Sequence, residues 1–198
     1  DAGLNFILII DNSGCLVHGE AFDPNTEKEV PIPESLQEHI SDEALIHHEG
    51  VEDSVIGIIL LPEGPLLVSS GPIVTSEGEG PIEGTIIMAQ FVDSSVVGAL
   101  SNTIHLPLVL VTVNDMIMPS DLEVARSSLT IEAPVLVSAI SPESMAGYFL
   151  LKDIYGNPAI IFRLTMPRAI YAQSVATIRY FSLAIMAFAL LCAFLFPQ

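Results

Sequence analysis

Two stretches of this 198-residue sequence share one pattern: an apolar run meets an Asp-x-x-Gly turn, and a second apolar run follows. The first is NFILIIDNSGCLVHG (5–19) and the second is GYFLLKDIYGNPAIIF (147–162). Short apolar runs separated by turn-forming residues are typical of antiparallel strand pairs. The sequence therefore predicts one β-hairpin near the start of the chain and another beyond residue 147.

The turn residues of these hairpins are Asp11 with Gly14 and Asp153 with Gly156. A turn aspartate accepts hydrogen bonds from backbone N–H groups two residues on, and glycine adopts a positive φ without strain. The alternative is a catalytic or metal-binding carboxylate, but no acid or histidine recurs beside either aspartate. We expect all four residues to shape turns.

Between the hairpins the chain alternates further strand-like and helical segments, which predicts an α+β fold with an antiparallel sheet. The order of hairpin, helical insertion, three strands and helix is typical of a PAS-like sheet. Predicted helices cover 33–48, 94–104 and 120–127, and the pairs Ser35/Glu38 and Ser120/Glu123 fit capping boxes. Predicted strands cover 4–10, 15–21, 54–61, 65–74, 82–91, 106–113, 129–139, 147–153 and 158–165.

The segment 180–196 contains no charged residue and predicts a transmembrane helix, with a buried core helix as the alternative. Proline suits the first turn of a helix, so a juxtamembrane helix is expected over 167–179, beginning at Pro167. Residues 1–166 would then form one extracytoplasmic domain. The chain starts at Asp1 and stops after the apolar run, which predicts a fragment truncated at both ends.

The balance of charge is unusual because basic residues are scarce: 6 Lys and Arg stand against 24 Asp and Glu, for a net charge of −18. Such a surface repels phosphate backbones, so no nucleic-acid partner is expected. The two cysteines, Cys15 and Cys192, can form neither a disulfide framework nor a cysteine-based zinc site.

Catalytic and metal signatures are weak in this sequence. His47-His48-Glu49 is the tightest histidine–acid cluster, but adjacent helical residues diverge, so a solvated helix end is favoured over a metal site. A Gly-x-Ser-x-Gly elbow is absent, and the glycines at 78, 80 and 84 lie between strands rather than before a helix. We expect no enzyme activity, metal or cofactor in this chain.

Several residues are candidates for ligand contact. The strand 82–91 places Met88 and Gln90 on one face of a sheet that we expect to be covered on both faces, and Gln90 needs a polar partner there: a ligand, a water or the helical insertion. Arg126 and Arg163 could each hold an anionic ligand bidentately or form a structural ion pair. The candidate ligand-binding residues are Ser69, Met88, Gln90 and Arg126.

The two hairpin stretches, the segment GIILLPEGPLLVSSGPIVTSEGEGPIEGTIIMAQFVD (57–93) and the apolar C-terminal run together resemble the type-four CHASE domain. That family belongs to the Cache/PAS-like group of extracytoplasmic sensors, which precede a membrane helix in sensor histidine kinases and diguanylate cyclases. The resemblance implies a PAS-like sensor outside the membrane and a cytoplasmic output module.

The sequence thus predicts an extracytoplasmic ligand-sensing domain of a membrane-bound receptor, most simply a sensor histidine kinase of a two-component system. An unknown small molecule would bind between the sheet and the helical insertion, and a homodimer is expected. The alternatives are a membrane-anchored adhesion or assembly domain and, with least support, a membrane-tethered enzyme.

Overall fold

The computed structural model describes residues 3–23, 26, 28–40, 42–78 and 80–168. Ten strands and four helices form two antiparallel sheets with helices against them, which confirms the α+β class. In chain order the elements are β1 (Phe6–Asp11), β2 (Leu16–Asp23), β3 (Lys28–Glu29), α1 (Glu34–Ile40), α2 (Glu43–Ile46), β4 (Val55–Leu61), β5 (Gly64–Ile73), β6 (Gly84–Phe91), α3 (Ser94–Ile104), β7 (Leu108–Thr112), α4 (Ser120–Ser128), β8 (Val135–Ala139), β9 (Ser144–Lys152) and β10 (Pro158–Pro167).

The first sheet has the strand order β3-β2-β1-β6-β5-β4. The hairpin β1–β2 is followed by the helical insertion (α1 and α2) and then by the meander β4–β5–β6, whose last strand pairs with β1. Apart from the two-residue β3, this is the element order predicted from the sequence. Both β2 and β6 run antiparallel to β1, so both finish at the same end of the sheet at which β1 begins.

The first core lies between this sheet and the helical insertion. Strand alternation places every second side chain on that face. Each buried residue of this core is 5% exposed or less. Burying aliphatic side chains of this size stabilises the fold by about 1.5–3 kcal/mol each. The buried residues are Phe6, Leu8, Ile10, Ala21, Leu36, Ile40, Leu45, Ile59, Leu61, Leu66, Val68, Ile87 and Ala89.

The second sheet has the order β7-β10-β9-β8. The sequence pattern did not predict that the strands would divide into two sheets. Helix α4 covers one face, where Leu122 and Ala125 are fully buried against Tyr148 and Ile161. Helix α3 runs beside β7 and has no fully buried residue. It begins at Ser94, as the sequence predicts, and Asp93 caps it by accepting from the backbone N–H groups of Ser95 and Val96.

The two Asp-x-x-Gly turns have the same hydrogen bonding. Asp11 Oδ1 accepts from the backbone N–H groups of Ser13 at 2.8 Å and Cys15 at 2.9 Å. Asp153 Oδ1 likewise accepts from the backbone N–H groups of the second and fourth residues after it, at 3.0 and 2.7 Å. Gly14 and Gly156 have φ angles of 80° and 85°. The hydrogen bonds from Ser13 and Cys15 hold the pKa of the exposed Asp11 carboxyl below its usual value.

The second turn differs from the first because it docks against the other sheet. This hairpin tip (residues 153–157) places Ile154 beside β4, where its backbone N–H donates to the carbonyl oxygen of Ile58 at 2.9 Å. The Ile154 side chain packs against the first core and lies directly over Gly57. Ile58 in turn is buried with Ala159 and Ile160 of β10. One hairpin therefore joins the two sheets.

Some local predictions were wrong. The predicted helix 33–48 is two short helices, and Asp42 accepts from Ala44 N–H at the start of α2. Ser35 lies inside α1 and donates to Glu63 instead of capping, and Ser120 makes no cap because Pro119 occupies that position.

Two further expectations also need correction. The outer face of β6 is not fully covered by the described residues, since Met88 is 38% exposed. Pro167 does not begin a helix: it pairs with Ser144 as the last residue of β10. The rest of the predicted juxtamembrane helix 167–179, beyond Arg168, and the whole predicted transmembrane helix 180–196 lie outside the described residues. Within the described ranges, no helix has the length and apolarity needed to cross a membrane.

A buried histidine follows the helical insertion. The side chain of His48 is fully buried, and its Nε2 lies 3.3 Å from Ser70 Oγ. Because the Ser70 hydroxyl donates to the Leu45 carbonyl, Nε2 carries the proton and donates to Ser70. Nδ1 is buried without a hydrogen-bond partner among the described residues, 3.9 Å from Asp53 Oδ2. Burial lowers the pKa of His48, and the Asp53 carboxylate offsets this only in part.

The docking of the hairpin tip predicts that Gly57→Ala is destabilising. The added Cβ would lie 2.6 Å from Ile154 Cγ2, which is too close for a β-branched side chain in a packed site to accommodate. We expect a loss of about 1–3 kcal/mol in the free energy of unfolding, measured by thermal or urea unfolding. Gly71→Ala in the neighbouring strand is the control, because nothing lies within 4 Å of its Cβ. Equal stability of the two variants would show that the tip is not packed there.

The buried His48 predicts a stability that falls in mild acid. With its pKa lower in the folded than in the unfolded protein, the unfolded state binds more protons below the ordinary value of 6.5. Its contribution is complete above about pH 6.5 and is lost as the pH drops toward the folded pKa. We expect His48→Gln to be less stable at pH 7.5 but to lose less stability on acidification to pH 5.5. The exposed neighbour His47, changed to Gln, is the control; an unchanged pH dependence in His48→Gln contradicts this assignment.

Candidate functional site

The structure brings three of the four predicted ligand contacts together. Ser69 and Met88 are directly paired across β5 and β6, and Gln90 follows on the same face of β6. Arg126 lies in α4 on the second sheet, where its Nη1 donates to the carbonyls of Val113 and Asp115 at 3.2 Å each. The shared face points away from the helical insertion. A ligand role for these four residues stays a prediction.

The centre of the space between the first sheet and the helical insertion is filled by protein. Leu36 and Leu45 are fully buried there against strand residues such as Val68. A packed core of this kind leaves no room for a ligand at its centre. A ligand between sheet and insertion therefore has to enter from an end of the core.

Such an entrance exists at the end of the sheet at which β1 begins. A cavity of about 290 Å³ opens there, bounded by the start of β1, the ends of β2 and β6, the β4–β5 turn and the segment before α1. We call it the phenylalanine cavity. It is lined by Asn5, Phe6, Phe22, Asp23, Val30, Glu63, Gly64, Pro65, Phe91, Val92 and Asp93.

Three aromatic rings form the apolar walls of the phenylalanine cavity. Phe6 is 2% exposed and meets Phe91 edge to face, with the ring centroids 5.6 Å apart and the planes at 73°. This arrangement is a favoured one for aromatic pairs. Phe22 is 38% exposed, so its ring is open to the cavity and to solvent. The walls combine two packed rings with one accessible ring.

The Asn5 side chain holds the frame of the cavity. Its Nδ2 donates to the carbonyl of Phe22 at 3.1 Å, and its Oδ1 accepts from the backbone N–H of Phe91 at 2.8 Å. The two neighbouring strand ends are thereby fixed to the start of β1. Because both polar atoms of its side-chain amide are hydrogen-bonded, Asn5 has a structural role in the cavity wall.

The rim of the cavity is acidic. Asp23, Glu63 and Asp93 line it, and no lysine or arginine is among the described residues that do so. Thr26 Oγ1 donates to Asp23 Oδ2 at 2.8 Å, and Asp93 Oδ1 accepts the cap hydrogen bonds of α3. These bonds hold the two carboxylates in place at the mouth.

Glu63 connects the rim to the helical insertion. Its Oε2 accepts from Ser35 Oγ, at the start of α1, at 2.7 Å. Four residues further along α1, Nδ1 of His39 lies 2.7 Å from the hydroxyl oxygen of Tyr155 in the hairpin tip. Residues four apart share one face of a helix, so the same face of α1 touches the cavity rim and the hairpin tip.

Tyr155 is held by groups from both helices of the insertion. Burial and the nearby Asp42 carboxylate, which accepts a hydrogen bond from the hydroxyl, together raise its pKa to about 12. Since the single hydroxyl proton goes to Asp42, the Nδ1–H of His39 is the donor to the hydroxyl oxygen. The tip is thus bonded to α1 and to the cap of α2.

A second polar cluster fixes β10 within its own sheet. Arg163 Nη1 donates to both oxygens of Asp121 on α4, at 2.8 and 3.1 Å, which confirms the structural ion pair for this arginine. The Tyr148 hydroxyl donates to Asp121 Oδ2 at 2.9 Å. Burial raises the pKa of the Asp121 carboxyl, but the bonds from Arg163 and Tyr148 outweigh it and the pKa is lowered overall.

Three other concave surfaces are present among the described residues, one of them a recess of about 350 Å³ between α4 and β8. A cleft of about 530 Å³ separates the β4–β5 turn, including Glu63, from the loop after β7. An apolar groove of about 400 Å³ runs along the second sheet beside α3, between Leu100, Ile104, Phe149 and Phe162. The cleft shares Leu61 with the first core and Glu63 with the phenylalanine cavity, but no aromatic ring lines it, and the other two lie on the second sheet. The phenylalanine cavity is therefore the stronger candidate for a ligand site.

The sequence analysis did not single out the cavity residues. A usable signal was present, because an aromatic residue and an acid close β2 as Phe22-Asp23 and close β6 as Phe91-Val92-Asp93. The two ends meet only because both strands flank β1 antiparallel to it. Among the described residues, no group of three or more His, Cys, Asp or Glu side chains is placed to hold a metal ion.

Several known proteins resemble this chain. The curated relative "Methanogenesis regulatory histidine kinase FilI" of Methanothrix harundinacea is 32% identical over 177 residues, covering 89% of this chain and 19% of that protein. The chain therefore spans about a fifth of the length of that relative.

Two solved extracellular structures also match. One is the extracellular domain of the putative histidine kinase vpHK1S-Z8, with a TM-score of 0.49, 16% identity and coverage of 87% of this chain and 71% of that one. The other is an extracellular ligand binding receptor from Desulfohalobium retbaense, with a TM-score of 0.42, 10% identity and coverage of 83% and 30%.

The family resemblance inferred from the sequence is confirmed by a direct match. The CHASE4 domain model matches residues 1–111, which include the whole first sheet, α3 and most of β7. The chain therefore belongs to the CHASE4 family of sensor domains.

Proposed function

We propose that this chain is the extracytoplasmic ligand-sensing domain of a membrane-bound receptor, specifically of a sensor histidine kinase. A small molecule binds in the phenylalanine cavity, and the resulting shift passes through α1 and the hairpin tip to β10. The observation that carries this proposal is the pair of contacts on one face of α1, Ser35 to Glu63 and His39 to Tyr155.

The route is short and made of directional bonds. Ser35 and His39 are four residues apart, about 6 Å along a helix. A ligand that displaces Glu63 would alter the bond to Ser35, and α1 would move against the hairpin tip. Because the tip belongs to β9 and β10, that movement reaches the strand that ends at Pro167. Such a shift requires that the ligand bind the two arrangements with different affinity.

The direction of β10 supports a signal that leaves through the C-terminal end of the chain. The strand begins at the junction of the two sheets and leads to residues 169–198, whose apolar part 180–196 carries no charge. We propose that 180–196 crosses the cell membrane, that 167–179 connects it to the sensor domain of residues 1–166, and that the receptor acts as a homodimer. A helix-breaking proline at Ala172–Ala176 would then uncouple output from binding.

Ligand sensing is tested by a binding screen on the full 198-residue chain in a mild detergent. A panel of small neutral, anionic and cationic metabolites is scored by the shift in melting temperature. We expect at least one class to stabilise the protein saturably, and Phe22→Leu to weaken that binding, since Phe22 lines the cavity. If no compound of any class binds, or if Phe22→Leu has no effect on binding, the proposed sensing role of the cavity is wrong.

Transmission is tested by removing a single hydroxyl group in the full-length receptor. Tyr155→Phe removes the bonds to His39 and Asp42, so the ligand-dependent change in autophosphorylation is expected to shrink while ligand affinity stays within about twofold. Tyr148→Phe is the control, because it also loses a tyrosine hydroxyl bonded to an aspartate, but within the second sheet. Each variant should lose about 1 kcal/mol of stability.

The results separate transmission from a general loss of stability. An equal effect of both substitutions on output would contradict a route through the hairpin tip. A receptor whose output never responds to a bound ligand would favour the alternative of an adhesion or assembly domain.

A further inference from the structure

We propose, on the basis of the sensing role above, that the ligand of the phenylalanine cavity is a small organic cation, an alkylammonium or quaternary ammonium compound. The inference rests on three properties of the lining: its charge, its engaged backbone hydrogen-bond donors and its aromatic walls.

The charge of the lining favours a cation. Three carboxylates, from Asp23, Glu63 and Asp93, surround an opening with no described lysine or arginine in its lining. Lys28 faces Asp23 across β2 and β3, but it is exposed and does not line the cavity. With a net charge of −18 on the whole chain, the field at the mouth concentrates cations and excludes anions.

Several backbone hydrogen-bond donors of the lining are already used. The backbone N–H groups of Asn5, Phe22 and Val92 donate to the carbonyls of Ala89, Asn5 and Pro65 respectively. The backbone N–H of Phe91 donates to Asn5 Oδ1, and Asn5 Nδ2 donates to the carbonyl of Phe22. An anion needs donors, and none of these four backbone N–H groups is free to provide one. Carboxylate acceptors, in contrast, match an ammonium group.

The aromatic walls suit a cation that carries alkyl groups. The accessible ring of Phe22 presents the π-electron density that attracts ammonium groups, and Phe6 and Phe91 bury methyl or methylene groups. The volume of about 290 Å³ limits the ligand to a small molecule. A bare metal ion fits poorly, because no three described acidic or histidine side chains are close enough to coordinate one.

Three compounds of the same shape test the charge preference directly. Tetramethylammonium, tert-butanol and pivalate are titrated into the full 198-residue chain in a mild detergent at constant ionic strength, with propylammonium as a primary amine. Binding is measured by calorimetry and by the shift in melting temperature. We expect saturable binding of tetramethylammonium or propylammonium and none of tert-butanol or pivalate at equal concentration.

Two substitutions locate the binding. Glu63→Gln keeps the acceptor for Ser35 but removes the charge, and we expect affinity for the cation to fall about tenfold. Glu83→Gln, an exposed acid outside the cavity, is the matched control and should leave affinity unchanged. Phe22→Leu should weaken tetramethylammonium binding by about threefold or more. Circular dichroism checks that each variant is folded.

The outcomes distinguish this inference from the proposed function. Binding of tert-butanol or pivalate without binding of the cations would overturn the cationic class but leave a sensing cavity. Equal effects of Glu63→Gln and Glu83→Gln would show general charge attraction and overturn the site. If no cation binds here and the wider panel also gives no ligand, both the inference and the sensing role of the cavity fail.

Discussion

The two sheets of this domain are held in one arrangement by the backbone hydrogen bond from Ile154 to Ile58 and the packing of the Ile154 side chain over Gly57. A turn normally projects into water, yet this one packs its Ile154 side chain against a second sheet. The absence of a side chain at Gly57 makes the approach possible. The bonds of Tyr155 to the helical insertion and the packing of Ile58 on β10 add to this contact, and together they tie the hairpin β9–β10 to the first sheet.

The helical insertion extends this junction to the ligand site. Helix α1 is only seven residues long, but one of its faces bonds to Glu63 on the cavity rim and to Tyr155 in the hairpin tip. Its adjacent, apolar side contributes Leu36 to the first core. A short helix packed on one side and bonded at two points on the other moves as a unit, because packed interfaces shift between arrangements rather than deform. This is the physical basis for coupling the cavity to the exit strand.

Local chemistry explains how much could be predicted from the sequence. The turns at Asp11 and Asp153 and the start of α3 after Asp93 depend on neighbouring residues only, and they were predicted. The division into two sheets depends on which distant strands pair, and Ile154 looks like any apolar residue of a hairpin. The cavity was missed for the same reason: Phe22 and Phe91 are 69 positions apart in the sequence and meet only because β2 and β6 flank β1. The predicted shared face of Met88 and Gln90 followed correctly from strand alternation, but alternation does not say which face a ligand uses.

The most direct test of this account is amide hydrogen exchange at the hairpin tip, measured residue by residue on the full 198-residue chain. The account predicts that the N–H of Ile154 is protected to the same degree as strand amides of β4, whereas the N–H of Asn12, the equivalent position in the first turn, exchanges quickly. It also predicts that Gly57→Ala removes the protection of Ile154 without affecting the centre of the second sheet. Rapid exchange of Ile154 in the unmodified chain would contradict the docking of the tip, and with it the proposed route from the cavity to β10.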